Sequence, residues 1–297
     1  MKAAAAPGSV AVPQPGAPDA AKPVVPRARK APGWKGGGWK GDAWKVEWLV
    51  ALILPVCLGI AWELAVRFGY ASGRLMPPPS RLADTALALI RGGELQTHIA
   101  ATMARVGTGF LFGAIAGTAL GTLTGASVAM RRLLDPSIQA IRAIPSIAWV
   151  PLFILWLGIF ETSKLALVSL GVFFPVYLGV LSAIQDVDRK LLEVGRVFGL
   201  SPLGQVRRII LPAILPIWVA ALRSGLGLGF MFVLAAELLG ASEGLGYLLL
   251  DGQQMGRADA ILVAMITFAI LGKLSDSLLV ALARPVLRWQ DTAKTRL

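Results

Sequence analysis

The sequence predicts an all-α, polytopic membrane protein with six transmembrane helices, and three observations carry that prediction. Of 297 residues, 56% are apolar and only 15% charged, with a mean hydropathy of +0.68; soluble domains average about 45–50% and about 25%. Six stretches approach the roughly 20 largely apolar residues that a bilayer crossing needs. Half of the net charge of +12 lies in the first 46 residues, and in the rest Lys/Arg concentrate in short segments between those stretches, as in cytoplasmic loops. Disordered, fibrous and disulfide-framework classes are excluded. With a lone Cys57 and a lone His98, no metal site is predicted.

Two domains follow: a basic Ala/Pro/Gly-rich tail over 1–46 and a transmembrane domain over 47–297. The tail contains Ala3–Pro7, Pro13–Pro18 and the repeat Trp34-Lys35, Trp39-Lys40, Trp44-Lys45. It cannot bury enough apolar surface to offset chain entropy, so it is expected to be disordered. It lacks the apolar core of a signal peptide and is expected to be retained. Trp-Lys pairs suit a headgroup surface, rings at the interface and ammonium groups toward anionic lipid; an inert linker is the alternative.

The predicted spans are 48–67, 103–125, 134–158, 163–184, 213–239 and 259–283. With the N-terminus inside, nineteen Lys/Arg lie in inside segments and six outside, which puts both termini in the cytoplasm. Span two has Gly109, Gly113, Gly117, Gly121 and Gly125, one small residue per helical turn, a groove for close helix packing. Span three contains Pro145 and Pro151, each removing a backbone donor, which is tolerable where a helix lines a cavity. The loop 185–212, between spans four and five, is the most informative. A helix from about 188 to 198 would bring Leu191, Leu192, Gly195 and Phe198 together. Gly199 permits a turn with positive φ, Ser201-Pro202 starts a second short helix, and Pro212 opens the next span. Such a partly apolar knob is too short to be a domain and needs a partner.

Glu193, Gly199 six residues later, Ile209 and Leu211-Pro212 resemble the "EAA" loop of the membrane subunits of binding-protein-dependent ABC importers, at that family's spacing. Val194 and Gly195 stand where the family has two alanines. The resemblance runs over about 100–290. Within the family, Ile144–Ile159, Gly171–Tyr177, Gly195–Ser201 and Leu271–Asp276 are similar to the branch that imports aliphatic sulfonates, taurine and nitrate. The resemblance implies a type I importer permease core, two permease subunits forming a homodimer, two ATP-binding subunits gripping the coupling loop, and a periplasmic or extracellular substrate-binding protein. It also implies a prokaryotic inner-membrane location. No cofactor is expected on this chain, which has no Gly-x4-Gly-Lys-Ser/Thr phosphate loop and is not expected to be an enzyme; ATP and Mg belong to the partner ATPase.

Ionisable residues within spans are candidate functional groups. Arg142 and Arg223, with Pro145 and Ser146, are candidate translocation-path residues for an anionic cargo; alternatively each arginine snorkels to the cytoplasmic interface or pairs with Glu237 or Asp276. Glu237 and Asp276 read as structural ion-pairing residues. Arg105 reads as a headgroup anchor at the outer mouth of span two, His98 as an interfacial residue and Cys57 as a lipid-facing or packing residue. The outside loop 239–258 is placed to meet the binding protein. An ion-coupled carrier is the alternative function, short of midplane carboxylates. A nucleic-acid partner is not expected, because the tail has charge without a folded recognition element.

Overall fold

The computed structural model describes residues 43–70, 72–145 and 148–287. Expectations for the tail up to residue 42 and for Ser146 therefore lie outside the described residues. Contacts divide the chain into Met1–Ile53 and Leu54–Leu297, and the packing described below belongs to the second unit.

Among the described residues the fold is helical, without strands. In chain order the helices are α1 (Ala43–Arg67), α2 (Pro79–Arg91), α3 (Glu94–Ala126), α4 (Val128–Arg142), α5 (Trp149–Leu157), α6 (Glu161–Gln185), α7 (Arg189–Val197) and α8 (Pro202–Gln205). A π-helical turn over Val206–Ile210 then leads into α9 (Leu211–Gly240), followed by α10 (Leu245–Gln254) and α11 (Ala258–Ala283). Four helical segments are long and apolar enough to cross a membrane: α3, α6, α9 with its preceding turn, and α11. The first predicted span, 48–67, lies within α1.

The predicted continuous span over 134–158 is corrected. It is divided into α4 and α5, whose ends at Arg142 and Trp149 are separated by a break. Pro145 has no N–H to donate and disfavours helical geometry at Ile144, and Ala143 closes α4 by donating to Gln139 and Ala140 carbonyls. Pro151 is not a second break. It sits in the first turn of α5, where its N–H would have no partner anyway. Nine residues of α5 rise only about 13 Å, short of the roughly 30 Å of a bilayer core.

The centre of the molecule is α6, held between α3 and α9. The glycine face of α3 meets it at every turn. A Cβ on Gly109 would lie 2.5 Å from Val168 Cγ1, on Gly117 2.8 Å from the Phe173 carbonyl, and on Gly121 2.8 Å from the Tyr177 carbonyl; one on Gly113 would strike the Ser169 carbonyl. The same Val172 and Val176 of α6 also pack on Gly225 and Gly229 of α9, and Gly171 lies under the ring of Phe232. Apolar side chains gain little by leaving lipid, so association rests on this close dispersion contact. A second cluster joins Leu82 and Leu89 of α2, Leu95 of α3, Leu245 and Leu248 of α10 and Val263 of α11. It is pinned by the Thr85 hydroxyl donating to Asp259 at 2.8 Å.

This packing predicts unequal costs for one substitution along α3. Gly117→Val, which must displace α6 backbone, is expected to destabilise by about 1–3 kcal/mol or more. Gly107→Val, with nothing within 4 Å, should be tolerated; thermal unfolding in detergent compares the two.

Candidate functional site

Three features are candidates: the knob at α7, a buried ion cluster, and a cavity beside the helix break.

The knob is built by local rules. Asp188 caps α7, its carboxylate accepting from the Lys190 N–H at 2.9 Å. Gly199, at φ +68°, ends it: the Gly199 N–H reaches the Arg196 carbonyl at 2.9 Å and the Leu200 N–H the Gly195 carbonyl at 3.0 Å. That paired bonding is the Schellman stop, which favours glycine because the residue is left-handed. The Ser201 hydroxyl accepts from the Gly204 N–H at 3.2 Å and starts α8. Gly195 is buried, and a Cβ there would lie 2.6 Å from Ile209 Cδ1. Gly195 thus lets α7 fold back against Ile209 of the π-helical turn. Leu192 is half-buried, whereas Leu191, Val194, Val197 and Phe198 are exposed, Phe198 by 79%. Glu193 is exposed beside them. The outward stripe is therefore Leu191, Val194 and Phe198, and Leu192 turns away from it. Leu211 and Pro212 begin α9 and line, with Thr118, Thr122 and Trp218, an apolar cavity of about 430 Å³.

Arg105 is not at the headgroups, where the sequence placed it. It is 4% exposed, and its Nη1 donates to Glu237 at 2.8 Å while Nε and Nη2 grip Glu161 at 2.7 and 2.9 Å. Lys164 completes the cluster on Glu161 at 2.9 Å. Glu237, fully buried, accepts also from the Thr102 hydroxyl and the Gly246 N–H, each at 2.8 Å. The Leu245 N–H donates to Thr102 at 2.9 Å and the Gly244 N–H to His98 Nδ1 at 3.1 Å. Side chains from α3 and α9 thereby satisfy three consecutive amides at the start of α10, donors that helix ends leave open. Gly244, at φ +121°, has no room for a Cβ against the Glu237 carboxylate. Glu161, Lys164 and Thr102 were missed from sequence, yet a signal was present. Arg105 continues the register of Gly109 to Gly125, so it had to face α6, not lipid.

The two candidate path arginines are not brought together. Arg223 is clamped to Asp276 by Nε–Oδ1 and Nη2–Oδ2 contacts of 2.7 and 2.9 Å. Arg142, the last residue of α4, lines a cavity of about 320 Å³ with Trp149, Phe174, Leu228 and Met231. Pro145 is exposed just beyond it.

The family of binding-protein-dependent transport system inner membrane components matches residues 109–288. The chain belongs to this family. A relative provisionally named as an aliphatic sulfonates transport permease protein, from Bacillus subtilis (strain 168), is 38% identical over 245 residues, 82% of this chain and 89% of that protein. The taurine transport system permease protein of Escherichia coli (strain K12) is 31% identical, covering 80% and 87%. The nitrate import permease protein of Leptolyngbya laminosa is 31% identical over 61% and 65%. The MetNI methionine ABC transporter shares the fold, with a TM-score of 0.56 at 21% identity over 66% of this chain and 97% of that one. The protein is thus a multi-pass inner-membrane permease subunit of an ABC importer. Membership implies an ATP-binding subunit and a substrate-binding protein as partners.

Within this permease, removing one side of the buried pair should cost far more than removing one side of the exposed pair. Glu237→Ala is expected to destabilise by about 3–5 kcal/mol, leaving Arg105 part-uncompensated and α10 uncapped. Asp276→Asn should cost clearly less; melting in detergent, with and without lipid, measures both.

Proposed function

We propose that this permease imports a small anion, an aliphatic sulfonate ahead of taurine or nitrate, using ATP hydrolysed with Mg on a separate subunit. The higher identity to the sulfonate-named relative than to the taurine- and nitrate-named ones supports that order of cargoes. The working assembly is a homodimer with two ATP-binding subunits on the cytoplasmic side, both chain termini on that side, and a binding protein outside. The phosphate-loop motif is missing from this sequence, which supports a permease that binds no nucleotide itself.

The observation that carries the reading is the exposed apolar stripe of α7, a free-standing surface held rigid by the Asp188 cap, the Gly199 stop and the Gly195–Ile209 contact. It fits an ATPase cleft, with Phe198 as the anchor and Glu193 positioned to meet a cation at its rim. α7 connects directly to α6 and, through the π-helical turn, to α9. A push on α7 therefore acts on both helices at once. Because α3, α6 and α9 are locked by close packing, the response is rocking of a block, the expected form of alternating access.

Phe198→Ala and Glu193→Lys test this. Both residues are exposed, so membrane abundance and melting should be unchanged. ATPase-subunit binding should weaken about tenfold or more, as for loss of an aromatic anchor, and uptake should uncouple from ATP hydrolysis. Unchanged binding and uptake in reconstituted vesicles would remove the docking claim.

A further inference from the structure

We propose that the cavity beside Arg142 is a cargo subsite, taking an organic anion with a short apolar tail: headgroup on the guanidinium, tail against Trp149, Phe174, Leu228 and Met231. This deepens the import reading above and rests on it.

Position along α6 is the first argument. The α6 residues lining the cavity, Leu170 to Leu178, occupy the middle of a helix running from Glu161 to Gln185. Arg142 therefore borders the middle turns of α6 rather than either of its ends. A cation there marks a functional site by default. The second argument is the break itself. Irregular backbone at membrane depth is tolerated where it lines a cavity, and discontinuous helices form transporter cargo sites near the midplane. The cavity lies where α4 stops and α5 starts.

Charge decides the class of occupant. Among the described residues, Arg142 is the one ionisable group lining the cavity. Among the described residues it meets no carboxylate, and its Nη1 has only a long contact of 3.4 Å to Gln139 Oε1. Arg223, in contrast, is already matched by Asp276 through two hydrogen bonds, which makes it a poor anion receptor. A guanidinium fork suits the oxygens of a sulfonate. The remaining lining is apolar and aromatic, and about 320 Å³ falls within the range of small-molecule sites. Nitrate would leave that wall uncovered. The ammonium of taurine would find no carboxylate among the lining residues. An alkanesulfonate satisfies both ends.

Pentanesulfonate binding to the purified permease–ATPase complex, followed by calorimetry without the binding protein, tests the subsite. Wild type should bind, Arg142→Gln should bind at least tenfold more weakly, and Arg142→Lys should fall between them. Met231→Trp should lose pentanesulfonate while keeping methanesulfonate. No binding by wild type, or equal binding by wild type and Arg142→Gln, overturns the subsite. Uptake by the full importer separates the two claims. Pentanesulfonate import with the same KM in wild type and Arg142→Gln leaves the import reading standing and overturns the subsite. Import of nitrate but no sulfonate by wild type overturns the sulfonate reading and the subsite with it.

Discussion

The contact on which the rest of the molecule depends is the backbone-close packing of α3 on α6. It is made by absence: five glycines at four-residue spacing leave no Cβ between the helices, so Val168, Val172 and Val176 settle against main chain. In lipid, where burial of apolar surface drives little, such contact supplies the dispersion that holds helices together. Four further features are placed from α6. The same valines receive α9 through Gly225 and Gly229. The first turn of α6 carries Glu161 and Lys164 to the ion cluster, its middle forms a wall of the Arg142 cavity, and its end leads into α7. A shift of one turn between α3 and α6 would misplace all of these together.

Charges are handled differently at each feature. In the cluster, Arg105 is surrounded by Glu161, Glu237 and the Glu243 carbonyl, because a buried ion needs its hydrogen bonds filled. Glu237 in turn anchors α10, so the helix after α9 is seated by polar bonds as well as by the Leu245–Leu248 cluster. At the knob the charges are exposed and the apolar stripe is also exposed, an arrangement that marks an interaction surface. At Arg142 a cation faces a mostly apolar space beside the middle turns of α6. One feature is closed, one presents an uncovered apolar stripe, and one is a cavity with a single unpaired cation among its described lining residues.

Much of this was legible in the sequence where a local rule governs. The glycine period named the α3 face, and Gly199 and Ser201 named the stop and restart around α7, because positive φ and capping are properties of a few adjacent residues. The family resemblance rested on the same loop. What failed to show was tertiary. Hydropathy could not separate α4 from α5, since α4 mixes apolar residues with Arg131, Arg132, Asp135 and Arg142 and a window averages it with the apolar run of α5. Arg105 looked like a headgroup anchor because its partners, Glu161 and Glu237, are 56 and 132 residues away. That Arg142 borders the middle turns of α6 was likewise not legible, because the residues that meet it there are some 30 positions away in the chain.

The central claim is that α3, α6 and α9 move as one block when α7 is pushed. Electron–electron distance measurement between spin labels at Ile115 on α3 and Leu239 on α9, both exposed, addresses it most directly, in a Cys57→Ser background with labelled subunits diluted by unlabelled ones. In the complete importer the distance distribution should stay narrow and unmoved between nucleotide-free and ATP-bound states, while labels on α7 of the two permease subunits change separation. A shift of the Ile115–Leu239 distance on ATP binding would contradict the rigid block and the coupling route built on it.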